Sequence, residues 1–162
     1  MAKADMFLRL ECNAWIRGEA DVPGHLEEIE IQQWGWGMIG SSTVGVAASK
    51  KTAFSEISFC KGTDRSTPLL MQAMSNHADV NVATLTICKA GSSPPLKYLT
   101  IKVERGRINS LSIGNPVPGT PEIVERFSIV FEKITVTYAP QDEAGQGRAE
   151  LEWEGEVSEG AR

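Results

Sequence analysis

The chain has three cysteines in 162 residues, Cys12, Cys60 and Cys88. They are odd in number and form no Cys-x-x-Cys pair, so neither a disulfide framework nor a zinc knuckle is suggested. They read as small buried hydrophobes. There are only two histidines, His25 and His77; one sits in a turn and one follows a helix signal, so both read as structural and no metal site is expected. No stretch approaches the roughly 18 uninterrupted apolar residues that cross a bilayer. Met1 to Leu10 has only a very short apolar run among charges, far below the apolar region of a signal peptide. Synthesis in the cytoplasm, with no Sec-type export and no membrane insertion, is the expectation.

Basic charge is also in short supply. The formal net charge is −5, and residues 141–162 hold seven acidic and two basic side chains, which leaves residues 1–140 balanced at fourteen of each. A neutral body with an acidic tail lacks the clustered Lys and Arg that release counterions from nucleic acid, so no nucleic-acid partner is expected. A near-neutral surface also tolerates self-association.

Hydrophobic residues at 41% and charged residues at 23% are ordinary globular usage, and the length suits one domain covering 1–162. Period-two alternation dominates. Ile57 and Phe59 alternate, Val80, Val82, Thr84 and Thr86 form one row with Leu85 and Ile87 opposite, and Leu99, Ile101 and Val103 share a face. From Ile123 to Tyr138 the apolar phase slips near Glu132 and Lys133, which predicts a bulge. Thr67-Pro68 before Leu69, Leu70, Met71, Ala73 and Met74 predicts one short helix with Thr67 as N-cap and Pro68 at its first position. A last strand is expected over Ala149 to Glu154. The reading is a mainly β protein, an antiparallel barrel or sandwich with one helix.

Chemistry-bearing motifs are weak. Gly35-x-Gly37-x-x-Gly40 matches a dinucleotide fingerprint by letter, but no helix follows to receive a pyrophosphate. Gly40-x-x-x-x-Gly45 is followed by Val46 where a phosphate loop needs Lys, so no cofactor is expected. Glu27, Glu28 and Glu30 could be imagined as an acid–base pair, yet alternation with Ile29 and Ile31 is the pattern of a strand with one wet face. No nucleophile elbow or metal-spaced cluster is present, so no enzyme is expected; the competing class is a stand-alone barrel with a ligand pocket. Trp34 and Trp36 occupy the face that Glu28, Glu30 and Gln32 hold earlier. This is either core or the centre of an interface. Residues 39–50 lack strand or helix periodicity and predict a long extended loop that packs on another subunit.

Several blocks together resemble the Hcp (haemolysin-coregulated protein) family of type VI secretion systems. They are Asp5-Met6-Phe7-Leu8-Arg9-Leu10, Glu28 through Trp34-Gly35-Trp36-Gly37-Met38, Phe54-Ser55-Glu56-Ile57-Ser58-Phe59, Thr67-Pro68-Leu69-Leu70, Lys89-Ala90-Gly91, Tyr98-Leu99-Thr100-Ile101, and Glu122 through Val136-Thr137-Tyr138-Ala139-Pro140-Gln141. The resemblance implies a two-sheet antiparallel β-barrel with a flanking helix, similar to phage tail-tube proteins. It further implies a homohexameric ring, stacking into a tube with sheath and spike proteins as partners, small effectors carried in the lumen, and export without a cleaved signal peptide. This chain departs from the family's frequent pattern in carrying Gly35 between the paired tryptophans, where Ser is common. It also has Ser41 to Ser49 in place of a glycine run, and Pro116, Pro118 and Pro121 in a turn that tends to be Gly-rich, which stiffens it.

On this basis Trp34, Trp36, Ser41, Ser42, Thr43, Val44, Val46 and Lys50 are expected at subunit or ring interfaces. Gln33 and Gly35 are expected to line the lumen and meet cargo. The acidic tail, 141–162, reads as an edge strand bearing Trp153, able to close the barrel or meet the next ring.

Overall fold

A computed structural model describes residues 5–40, 44–45, 52–89, 95–140 and 149–157. The strands in chain order are β1 (Met6–Glu11), β2 (Trp15–Ile16), β3 (Ile29–Glu30), β4 (Gln33–Gly35), β5 (Met38–Ile39), β6 (Ala53–Phe54) and β7 (Ile57–Gly62). After the helix α1 (Ser66–Ser75) come β8 (Asp79–Cys88), β9 (Lys97–Gly114), β10 (Val124–Val130), β11 (Lys133–Tyr138) and β12 (Leu151–Glu156). All pairings among the described residues are antiparallel, and ten strands share one sheet, seven of them in the path β2-β1-β8-β9-β10-β7-β4, with β5 and β6 as a separate ribbon.

The architecture follows from β9. At 18 residues it is longer than one sheet ordinarily holds, and it bends at Arg105, whose φ is 55°, and Gly106. A Cβ on Gly106 would lie 2.2 Å from the Val130 carbonyl oxygen, so only glycine fits where the strand turns. Before the bend β9 belongs to a large sheet with β1, β8, β11 and β12; beyond it, to a small sheet with β10, β7 and β4. Alternation then fills the interior. Leu8, Leu85, Ile101, Val136 and Trp153 form one register row across the large sheet, and Trp34, Phe59, Phe127 and Leu111 one across the small sheet. One buried cluster includes residues from both sheets.

The segment 29–35 runs from β1 in the large sheet to β7 in the small sheet. β3 pairs with β1 and β4 with β7; between them the Ile31 N–H donates to Met6 O at 3.0 Å and the Gln32 N–H to Cys60 O at 2.8 Å. The fold is therefore mainly β, as expected, with one helix among the described residues, and among those residues no unbroken ladder closes it into a barrel.

Three expectations shift. The Ile123–Tyr138 run divides at Phe131 and Glu132 into β10 and β11, because the chain passes from one sheet to the other there; the register irregularity lies at Ser128/Ile129. The last strand begins two residues later than expected, at Leu151. In the helix, Arg65 is the N-cap and Thr67 already lies in the first turn. Asp64 does the capping instead, its Oδ1 accepting the Ser66 N–H at 2.9 Å while Thr67 Oγ1 accepts the Asp64 N–H at 3.1 Å.

Thr67 is drawn inward by a buried ion pair. Its hydroxyl donates to Glu125 Oε2 at 2.6 Å, and Lys61 Nζ lies 3.2 Å from Glu125 Oε1 and 3.0 Å from Asp64 Oδ1. Lys61 and Glu125 are cross-strand neighbours, both fully buried. Glu125 Oε1 makes no hydrogen bond, so the ammonium is its compensation.

Candidate functional site

In the small sheet the side chains facing away from the core form two rows. Gly35, Ser58, Ser128 and Ser110 stand in one, and Gln33, Cys60, Arg126 and Ser112 in the next. Each is the alternate partner of a core residue such as Phe59 or Phe127, so the pattern that buries the aromatics places the hydroxyls outside. Ser58 Oγ donates to Gly35 O at 3.3 Å, and Ser110 and Ser128 share a 2.6 Å hydrogen bond. A shallow concavity of about 160 Å3 lies over this face, lined in part by Glu56, Ser58, Ser110, Ser112, Arg126 and Ser128. Gln33 is exposed and Gly35 half-buried on the same face. A Cβ on Gly35 would lie 3.6 Å from Ser58 Oγ, an ordinary contact, so serine fits there as well.

This sheet also ends in free edges. β4 is hydrogen-bonded to β7 alone, and β9 beyond Arg107 to β10 alone. Among the described residues, neither outer edge has a strand partner.

The tryptophans point the other way. Ile29 and Ile31 are buried at odd positions, and the link at Gln32 and Gln33 shifts the phase so that Trp34 and Trp36 pack against the core. Trp36 stands 5.8 Å from Phe54, 6.5 Å from Phe131 and 6.3 Å from Trp153 between ring centroids, and its Nε1 donates to Ser55 O at 3.0 Å. Gly37 N–H donates to Ser55 Oγ at 2.9 Å. This cluster anchors the β5–β6 ribbon, from which the expected loop departs. Met38 and Ile39 are exposed and Val44 fully so; Ser41, Ser42, Thr43, Val46 and Lys50 lie outside the described residues.

His25 stacks on Phe7 at 4.5 Å, its Nδ1 lies 2.8 Å from Glu28 Oε1, and its Nε2 is 3.8 Å from Cys88 Sγ. Burial first, then the Asp5 and Glu28 carboxylates, push the Cys88 thiol upward against the pull of Lys97. A buried thiol held protonated is a poor nucleophile. Burial and Asp79 push Cys12 the same way. Among the described residues no group of three His, Cys, Asp or Glu is placed to hold a metal ion.

The sequence reading reached Gln33 and Gly35 but missed Ser58, Ser110, Ser112, Ser128 and Arg126. The signal was present: serines alternate with large apolar residues at Ile57-Ser58-Phe59 and Phe127-Ser128-Ile129, the mark of a strand whose outer face is small and polar.

Among the described residues, the fold and this face are those of a mainly β, two-sheet antiparallel protein with one helix, two small-sheet edges without a strand partner and a small polar surface. The family model for the type VI secretion system effector Hcp matches residues 7–138, so the chain belongs to the Hcp family. It is 33% identical over 144 residues to Protein hcp1 of Pseudomonas aeruginosa, covering 87% of this chain and 86% of that one. Among solved structures, a type six secretion system protein superposes with TM-score 0.79 at 20% identity, covering 92% of each chain. A type VI secretion system effector from Yersinia pestis gives 0.74 at 22% identity, covering 94% of this chain and 100% of that one. At such identities these structures speak for the fold.

Proposed function

We propose that this protein is the tube component of a type VI secretion machine, in which six copies close into a ring, rings stack, and small effectors ride in the lumen. The observation that carries this reading is the pair of free edges at opposite ends of the small sheet. An exposed edge recruits another strand, and joining one end of this sheet to the opposite end of the next copy's is a heterologous contact that closes into a ring. Each ring then hides the edges it is built from. In that arrangement the hydroxyl-lined face, with Gln33 and Gly35, is the cargo surface. Serine hydroxyls and one arginine form hydrogen bonds without a deep apolar pocket, which suits weak holding and release. The 39–50 loop is assigned to subunit and ring contacts, with the β5–β6 ribbon as its base, and Trp34 and Trp36, packed on the core but half-buried, are assigned to the margin of those contacts. Sheath and spike proteins are the further partners, and the protein leaves the cytoplasm with the tube, without a cleaved signal peptide.

Negative-stain electron microscopy of the purified protein tests the ring. Six-fold rings with an open centre are the expected result, and monomers at every concentration would overturn it. Gly35→Arg and Ser110→Arg then test the face: both should still form rings yet lose co-expressed effectors in pull-downs. Rings that keep full effector binding would move the cargo surface elsewhere.

A further inference from the structure

We propose that a second cavity, at the bend between the two sheets, binds a small zwitterion with an apolar side chain, of the chemistry of a free aromatic α-amino acid. The cavity has a volume of about 840 Å3, within the size range of small-molecule sites. Phe54, Val80, Val130, Phe131 and Val157 supply its apolar lining. Its charged lining groups largely satisfy one another. Arg105 donates from Nε to Glu132 Oε2 at 3.0 Å and lies 3.6 Å from Glu156, and Glu56 accepts Asn109 Nδ2 at 2.8 Å.

Asp79 and Arg107 are the charged lining groups left with no hydrogen bond or ion pair to a described residue, Glu56 holding the neutral Asn109 amide. They are directly opposed in the β8–β9 register, the placement in which opposite charges ordinarily attract across a sheet. Their side chains nevertheless form no ion pair or hydrogen bond, with each other or with another described residue. The ladder beside them is interrupted, since Asn81 and Arg105 do not pair.

A ligand with a single charge would satisfy one of the two groups and leave the other facing it. A compact ammonium and carboxylate on one carbon satisfies both, the ammonium toward Asp79 and the carboxylate toward Arg107. The side chain then lies along Val130 and the rim of Phe131, where an aromatic ring gains area and edge contacts. Glu56 lines both this cavity and the concavity over the hydroxyl-lined sheet, but Asp79 and Arg107, which the proposal uses, belong to this cavity alone.

Calorimetry on the protein in its native assembly, with L-phenylalanine, 3-phenylpropionate and phenethylamine as probes, tests the assignment. L-phenylalanine should bind at least about tenfold more tightly than either analogue, each of which lacks one charged contact. Asp79→Asn should abolish the preference over 3-phenylpropionate and keep that over phenethylamine; Arg107→Gln should do the reverse. Both positions are exposed, so an unchanged circular dichroism spectrum and melting temperature separate a binding effect from misfolding. No heat with L-phenylalanine at high millimolar concentration, equal affinity for all three probes, or preferences untouched by both substitutions would each overturn the proposal.

Discussion

Across the outer face of the large sheet, Arg9, Thr84, Lys102, Thr135 and Glu154 lie in one register row, and Glu11, Val82, Glu104, Lys133 and Glu156 in the next. The small sheet presents Gly35, Ser58, Ser128 and Ser110 instead. On the large sheet the charges engage each other between strands, Lys133 lying 3.9 Å from Glu104 and 3.7 Å from Glu154. Such exposed pairs add at most about 1 kcal/mol each, but like charges brought opposite by a slipped strand would repel, so they help hold the register of β11 and β12. The small sheet places its ion pair on the inside, at Lys61 and Glu125, and leaves its outer face nearly uncharged and its edges free. One sheet carries charged groups on its outer face that pair between strands, and the other carries small hydroxyls there that hydrogen-bond within the sheet.

The strongest way to break this contrast is Lys61→Met. It strands Glu125 and Asp64 without their ammonium, and about 3–5 kcal/mol of unfolding free energy should be lost in urea titration. The double variant Lys61→Met/Glu125→Leu should recover most of it. A double variant as unstable as the single would show that the inner pair does not act as a unit.

Gly106→Ala tests the bend that separates the sheets. Its Cβ would meet the Val130 carbonyl at 2.2 Å, so a loss of about 1–3 kcal/mol is expected from overpacking against backbone. A variant as stable as the parent would mean that the bend shifts freely and that the sheets are not two distinct units.

The smallest effect concerns Glu30, where β3 meets the link between the sheets. Although the residue is exposed, partial desolvation, then Asp64 and Glu19, raise its carboxyl above the usual range. A raised carboxyl favours the fold fully below its unfolded value, near 4.3, and that contribution is lost as pH rises through the folded value. Glu30→Gln should therefore raise the melting temperature at pH 7 by about 1–2 °C, with the difference vanishing below about pH 4. A gain that persisted in acid would point to packing instead of charge.

Much of this was legible in the order of residues. Strict alternation identified the strands around Phe59, Leu85, Ile101 and Phe127, and Pro68 before an apolar run located the helix. The phase slips were also visible, one where Trp34 follows Gln32 and one near Glu132. Their meaning was not, because a slip looks the same in sequence whether a strand bulges or crosses to another sheet. Thr67 was misassigned as the cap for a similar reason: its attraction to Glu125 comes from a residue 58 positions away, which no local pattern carries.

Backbone periodicity and turn chemistry are local properties, and through them the order of residues set a mainly β chain with one helix and its polar and apolar faces; separately, its ordered blocks carried the resemblance to the Hcp family. The tertiary structure decided which strands pair, where β9 bends, which edges stay free, and which charges meet. Those outcomes depend on contacts between residues far apart in the chain, and such contacts exist only once the two sheets have closed on a common core.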